Sequence, residues 1–480
     1  MNDEIPLACL WDEFTRSTEG IETDPRPVDG SNAIDDLGDL GDLGDLDDLD
    51  ADVVIVGAGF TGLWTAHYLK VIEPGLRVVM IESRRVGFGA SGRNGGWSSA
   101  VLPMSLGSLA REHGPEVALS FDRAMVESVD EVVSQAHRLG IGGTVAKGGY
   151  VQVARSEPQW ERMQESVRQA RALGVSEEDL RLLDREATTP LVDTTRSLGS
   201  VFTPHCAAIH PGALVRSLAN DVRSRGVRIV EGVTALALEP GVVLTDRGPI
   251  RAPVSVRATE AFTARLRGSR RRVLPLYSLM VATEPIDREL LDSLISPSRP
   301  TFNDARNLIV YGQRTYDDRI AFGGRGAPYH YASRIDQRFD TDPRVARHLA
   351  SSLREMFPAL GDVRITHHWG GPLGAPRDWS CSVDFDPGSG MGSAGGYVGD
   401  GVTTTNLAGR TLADLITGRS SGITQLPWVG HRSRGWEPEP VRWLAVNAMT
   451  RLAALADRRE LRTGRRARVI ERVMDSVLGD

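Results

Sequence analysis

The sequence predicts an α/β chain, α+β taken as a whole, in which a parallel sheet flanked by helices is interrupted by an inserted mixed, largely antiparallel sheet. Three observations carry that prediction. A β-branched run, Val53-Val54-Ile55-Val56, leads straight into a glycine-rich turn and a helical stretch from Thr61 to about Val71. After a turn at Pro74-Gly75, a second apolar run, Val78-Val79-Met80-Ile81, completes a βαβ unit, whose strands run parallel. Far downstream, strand-like alternation dominates Val273 to Phe322, including Tyr277 to Val281 and Asn307 to Tyr311, as antiparallel strands require.

Between and beyond these blocks the periodicity is mostly helical. Leu106 to Leu139, Glu157 to Leu173 and Leu214 to Arg225 read as helices, Val227 to Val230 as another strand, and the Arg-rich tail from Trp443 to Leu478 as a helix with a solvated charged face.

The length of 480 residues corresponds to about three domains at ~150 residues each, which excludes a mini-protein or simple binding module. The net charge of −7 is concentrated. The stretch from Asp35 to Asp52 holds nine Asp and no Lys or Arg, and the remainder is near neutral, which argues against a nucleic-acid partner. From Asp36 to Asp50 the text repeats Asp-Leu-Gly; glycine and charge repulsion weaken any helix there, so residues 1–50 read as an extension with a disordered acidic linker. Upstream, Leu10-Trp11-Asp12 is a small apolar anchor able to dock on the body, although the extension as a whole is expected to be dispensable for folding.

Cys9, Cys206 and Cys381 form no CxxC pair; no metal is expected, and a reducing cytoplasm is the simpler home. The acidic Asp3 and Glu4 stand where a secretory leader places basic residues, and no apolar run reaches the ~18 residues of a membrane span. No membrane partner is expected.

The chemistry-bearing motif is Gly57-Ala58-Gly59-Phe60-Thr61-Gly62, a GxGxxG between a buried strand and a helix, with Glu82 twenty residues after its last glycine. The first glycine permits the tight turn, the second admits a pyrophosphate, and the third lets helix and strand pack closely. The helix N-terminus adds free N–H groups and partial positive charge. Glu82 suits ribose hydroxyls, which favours FAD or NAD over a 2′-phosphorylated nucleotide. This is a Rossmann-type nucleotide-binding unit. Shortly after Glu82 comes Gly87 to Gly96 (GFGASGRNGG), offering backbone amides, the Ser91 hydroxyl, Arg93 and Asn94. An ordinary flexible loop accounts poorly for Arg93 and Asn94 among so many glycines; such a loop can wrap a long cofactor.

Together with Ile209-His210-Pro211-Gly212, Ala258-Thr259, Tyr277 to Pro285, Trp369-Gly370-Gly371 and Gly395 to Val402 (GGYVGDGV), these residues resemble the glycine oxidase and D-amino-acid oxidase superfamily of FAD-dependent amine oxidoreductases, especially its gamma-glutamylputrescine-oxidase-like branch. The resemblance covers roughly residues 51 to 420. It implies a discontinuous FAD-binding domain (51–150, 200–265, 365–420), a substrate or cap domain (151–199, 266–364) and a C-terminal helical extension (421–480). It further implies cofactor contacts from Gly57, Gly59, Phe60, Thr61, Gly62, Glu82, Ser91, Arg93, Asn94, Gly95, Val233, Ala258, Thr259, Gly396, Gly399, Gly401, Val402 and Thr403. The GYxGxG turn opening a helix would face the flavin edge that gains charge on reduction.

Two departures from the family pattern matter. Asp400 stands where many relatives carry His. The cysteine by which some relatives attach flavin covalently corresponds to a position near Gly371, not Cys381, so non-covalent FAD is expected. Cys206 beside His205 reads as structural, since neighbours in a strand face opposite ways. Substrate candidates on the alternating block are Tyr277, Tyr311, Arg314, Arg319, Arg325, Tyr329 and His330, with Trp369 near the ring. Among these, Arg325, flanked by Gly323, Gly324 and Gly326, suits a carboxylate through its planar fork; pairing with an acidic neighbour is the alternative. The implied reaction is oxidation of a C–N bond in an amine or amino acid, with oxygen or another acceptor taking the electrons. A non-catalytic flavin-binding protein is the rival class.

Overall fold

The computed structural model describes residues 8–16 and 51–472. The Asp-Leu-Gly tract, and the reading of it as a linker, lie outside the described residues, as does the end of the tail from 473 onward.

The βαβ unit forms as its sequence requires. Strand β1 (Val53–Val56) is buried on both faces, helix α1 (Phe60–Ile72) follows, and β2 (Val78–Glu82) lies parallel to β1 in register Val53↔Val78. A strand buried on both faces has no polar side to alternate, hence the continuous apolar run. On the other side of β1 runs Val254–Arg257, also parallel, and the six-stranded sheet is completed by Arg228–Glu231 beyond β2 and by Met391–Gly395 and Ser382–Asp386 at the far edge. Helix Gly401–Ile416 packs closely on α1 because Gly409 has no side chain: a Cβ there would sit 2.5 Å from Trp64 Cβ. On the opposite face, the meander Ala235–Glu239, Val242–Thr245 and Gly248–Arg251 covers Val54, Val56, Val79 and Ile81.

The second sheet has eight strands and is mixed. It is antiparallel except where Thr301–Asp304 runs parallel to Tyr150–Ala154. Its longest pairing joins Leu274–Thr283 to Ile365–Ala375. Two strands belong to this sheet and not to the nucleotide-binding segments where sequence reading put them: Gly199–Thr203 pairs with Tyr150–Ala154, and Ile365–Ala375 with Leu274–Thr283. The reason is physical: local periodicity marks a strand but does not choose its partner.

The anchor at Leu10 docks on the body. Leu10–Arg16 forms a 3-10 helix; Leu10 and Trp11 are buried, Trp11 to 1% exposure, against Met280, Ala282, Ala321 and Trp369. The anchor is therefore part of a buried core, which bears on the expectation that the extension is dispensable for folding.

At the other end, helix Val441–Thr463 exposes Arg451, Arg459 and Arg462. Arg442, in contrast, is buried in an ion pair with Glu439 at 2.9 Å, so the face is not uniformly solvated. Among the described residues no helix is long and apolar enough to cross a membrane, and no group of three or more His, Cys, Asp or Glu is placed to hold a metal ion.

Candidate active site

The glycine turn closes a cradle at the carboxyl end of β1. Gly57 has φ +109°, and a Cβ there would lie 2.5 Å from the Ala258 carbonyl oxygen; at Gly62 it would lie 2.1 Å from the Gly57 oxygen. Both positions exclude any other residue without backbone movement. Gly59 begins α1 but supplies no side-chain cap. The cap comes from outside: the Phe60 amide donates to Ser91 Oγ at 2.8 Å, which joins the second glycine-rich loop to the start of α1. Thr61 Oγ1 lies 3.1 Å from the Tyr397 hydroxyl, tying α1 to the third glycine-rich turn.

Glu82 ends β2 with its carboxylate accepting from the Ala58 and Arg84 amides, each at 3.0 Å, while burial pushes its pKa up. The Val233 amide donates to the Glu82 carbonyl at 3.0 Å, and the Ala258 amide to the Val56 carbonyl at 2.9 Å. Thr259 Oγ1 is engaged with Thr263 Oγ1 at 2.7 Å. These residues gather around the ends of the parallel strands, where open α/β sheets bind ligands.

A cavity of about 290 Å³ lies between the eight-stranded sheet, the segment 90–101 and the start of helix Gly401–Ile416. Of the predicted residues it is lined by Arg93, Asn94 and Gly95, by Gly399, Val402 and Thr403, and by Arg325. Gly401 opens the helix whose N-terminal residues face the cavity, and Gly396, with φ +81°, makes the turn before it. Arg325 is exposed at its rim, donates from Nη2 to the Val398 carbonyl at 3.0 Å, and makes no ion pair among the described residues.

Two catalytic candidates lie elsewhere. Tyr277 is corrected: strand alternation puts Ser278 and Met280 on the cavity face and turns Tyr277 away, onto Phe339 and His330, with its hydroxyl accepting from the Asp336 amide at 3.2 Å. Trp369 is corrected too. It is 3% exposed in the core beside Trp11, and its indole N–H donates to the Arg93 carbonyl at 3.0 Å. Arg314 is held by Asp292 and Asp318, Arg319 by Asp317, Tyr329 by Glu439, and His330 stacks on Phe339. Of the remaining substrate candidates, Tyr311 lines the cavity, its hydroxyl 2.8 Å from Ser278 Oγ.

Sequence reasoning missed the aromatic wall of Trp97 and Tyr150, and the neighbouring Gln152 and Asn303. The available signal for Trp97 was its place directly after Gly95-Gly96. Reasoning also missed Glu260, whose backbone sits at φ +41° and whose carboxylate accepts the Gly396 and Tyr397 amides at 3.1 and 3.2 Å. Burial pushes Glu260 up to about 7 and Asp400 up to about 6, in the latter case opposed by the Arg325 guanidinium. His210 caps helix Pro211–Ser224 through Nδ1, which accepts the Ala213 amide at 3.0 Å; burial lowers its pKa to about 3, so it is the neutral imidazole.

Neither buried cysteine lines the cavity. Burial pushes Cys206 and Cys381 up to about 12. Cys206 Sγ faces Thr301 Oγ1 at 3.2 Å while His205 pairs with Asp179 at 2.8 Å, so the two neighbours do not meet. Gly371 does line the cavity, and a Cβ there would be 3.4 Å from the Arg93 guanidinium.

A dinucleotide fits these residues. The Gly57–Gly62 cradle leaves room that a Cβ would fill, two helix N-termini face the ligand region, and the cavity carries two buried donors, Arg93 Nε and Trp97 Nε1, with no hydrogen-bond partner among the described residues. Buried donors of this kind call for a ligand acceptor.

Fold and site together define a nucleotide-binding α/β unit joined to an eight-stranded sheet that lines the candidate site. The chain belongs to the DAO family of FAD dependent oxidoreductases, whose family model matches residues 52–415. It is 29% identical over 393 residues to the gamma-glutamylputrescine oxidoreductase of Escherichia coli strain K12, covering 78% of this chain and 86% of that protein. It is 28% identical over 390 residues to a probable oxidoreductase, OrdL, of Rhizobium meliloti, covering 78% and 85%. Among solved structures, glycine oxidase from Geobacillus kaustophilus superposes with a TM-score of 0.68 at 20% identity, covering 80% of this chain and 99% of that one. The chain is therefore an FAD-dependent oxidoreductase.

Proposed function

We propose that the protein oxidises a C–N bond of a small amine or amino acid at a non-covalently held FAD in the cytoplasm. The observation that carries this reading is the pairing of opposite charges in one cavity: the Asp400 carboxylate near the helix N-terminus and the Arg325 guanidinium at the rim, between aromatic walls. An amino acid presents the matching charges. Its carboxylate meets the Arg325 fork, and its ammonium is drawn in by Asp400 and by the faces of Trp97, Tyr150 and Tyr311.

Asp400, lifted to about 6 by burial, is largely ionised at neutral pH and takes the ammonium proton, leaving a neutral amine. FAD supplies the acceptor for the hydride that leaves the amine-bearing carbon. The resulting imine takes up water to give a carbonyl and ammonia or a smaller amine. Oxygen receives two electrons and two protons to become peroxide. The gamma-glutamylputrescine oxidoreductase relative and the iminodiacetate oxidase of Chelativorans sp. BNC1, a structural neighbour with a TM-score of 0.62, are named for nitrogen-bearing substrates.

The test is aerobic turnover over a panel of amines and amino acids, with carbonyl, ammonia and peroxide measured together. Equal amounts of carbonyl and peroxide support the reading. Carbonyl formation that needs an added dye in place of oxygen makes the enzyme a dehydrogenase, and no turnover of any nitrogen compound rejects the proposal.

A further inference from the structure

We infer that the N-terminal anchor, through Trp11, is a positioning element for the cofactor: it holds the glycine-rich loop whose side chains face the cavity. The loop carbonyls are gripped from behind by one side chain after another. The Trp11 indole N–H donates to the Asn94 carbonyl at 2.8 Å, Trp369 Nε1 to Arg93 at 3.0 Å, and Gln313 Nε2 to Gly95 and Gly96 at 2.8 and 3.0 Å. Cys9 Sγ lies 3.9 Å from the Gly92 carbonyl. Five successive carbonyls are thus engaged from the side away from the cavity. The same stretch carries Arg93 and Trp97, whose buried Nε and Nε1 donors have no partner among the described residues.

The anchor is itself fixed. Trp11 packs edge-on against Trp369 and His210, with ring centroids 5.9 and 5.1 Å apart, and its carbonyl accepts from Arg216. Gly212 makes room for it: a Cβ there would lie 2.3 Å from the Trp11 oxygen. On the flanks, Asp12 pairs with Arg85 at 3.0 Å and Glu13 with His367 at 3.0 Å. A loop containing Gly92, Gly95 and Gly96 has a large conformational ensemble to lose on binding a ligand. Holding its carbonyls beforehand removes that cost from binding and leaves the cavity donors in place. Trp11 does not line the cavity; it acts through Asn94.

The inference rests on the family's FAD dependence and not on the amine-oxidation reading. The experiment therefore reads cofactor affinity and not turnover. FAD is titrated into apoprotein of the full chain, with the visible circular dichroism of the bound flavin recorded, for the parent, for Trp11→Phe and for a variant carrying benzothienylalanine at position 11. The last replaces the indole N–H by sulfur while keeping the ring's shape, so the core packing survives even if the smaller Phe loosens it. Loss of the hold on the loop predicts FAD binding weaker by about five- to tenfold in the benzothienylalanine variant and an altered dichroism band, with a small fall in the melting temperature of an otherwise folded apoprotein. Parent-like FAD affinity and dichroism in that variant would overturn the inference and make the anchor a core-filling element alone.

Discussion

The Ser91 hydroxyl accepts the Phe60 amide at 2.8 Å, so a residue on the second glycine-rich loop caps the helix that starts the first. Gly59 cannot do this, having no side chain. The phosphate-facing helix end and the cavity loop are one unit, and Ser91→Ala should show it. Removing an N-cap partner costs about 1 kcal/mol, so FAD affinity should fall by roughly fivefold in apoprotein titrations.

Replacement of Gly59 is harsher. A Cβ there would already lie 2.8 Å from Ser91 Oγ, and further atoms would fill the pyrophosphate path. Gly59→Val should purify without flavin, as read by the visible spectrum; normal flavin content would refute the cradle.

Arg325 is expected to set substrate affinity without touching cofactor loading. Because it is exposed at the rim, its contribution is that of a partly solvated charged hydrogen bond, and Arg325→Ala should raise KM by about ten- to a hundredfold for an amino acid. Arg325→Lys keeps the charge but loses the fork, so it should fall between. Unchanged KM in both variants would assign the cavity to an amine lacking a carboxylate.

Asp400 gives a pH signature. Its pKa is raised to about 6 in the folded protein from 3.8, so ionising it opposes folding of the apoprotein. The penalty is full above about 6 and disappears below 3.8. Asp400→Asn should therefore melt a few degrees higher than the parent at pH 7.5 and at the same temperature at pH 3.5. Equal melting curves at both pH values would remove the buried carboxylate from the account.

Flavin should leave the polypeptide on acid or heat denaturation, since neither Cys206 nor Cys381 lines the cavity and position 371, which does, is glycine. Flavin remaining with the denatured chain on gel filtration contradicts this.

How much of this was legible beforehand divides along physical lines. The βαβ unit and its glycines could be read because each spacing is a local constraint on the backbone, at Gly57 and Gly62 within one turn. The cavity face of Leu274–Thr283 could also have been read, since Ser278 and Met280 share a parity that excludes Tyr277. The Leu10-Trp11-Asp12 anchor could be read as an apolar run, but not its partner Trp369, because their burial against each other depends on contacts across more than three hundred residues. Strand membership failed for the same reason at Gly199–Thr203 and Ile365–Ala375: pairing is non-local. Glu260 was hidden because its φ of +41° puts a glutamate where backbone reasoning expects glycine.

The central claim, that nitrogen-bearing substrates with a carboxylate give a hydride in this cavity, is tested most directly by anaerobic reduction of the holoenzyme. Amino acids, simple amines and the matching 2-hydroxy acids are mixed with the enzyme in the absence of oxygen, and bleaching of the visible flavin band is followed. Bleaching is expected from one or more amino acids, slower or absent bleaching from amines without a carboxylate, and none from hydroxy acids. Bleaching by hydroxy acids with none by any nitrogen compound would contradict it.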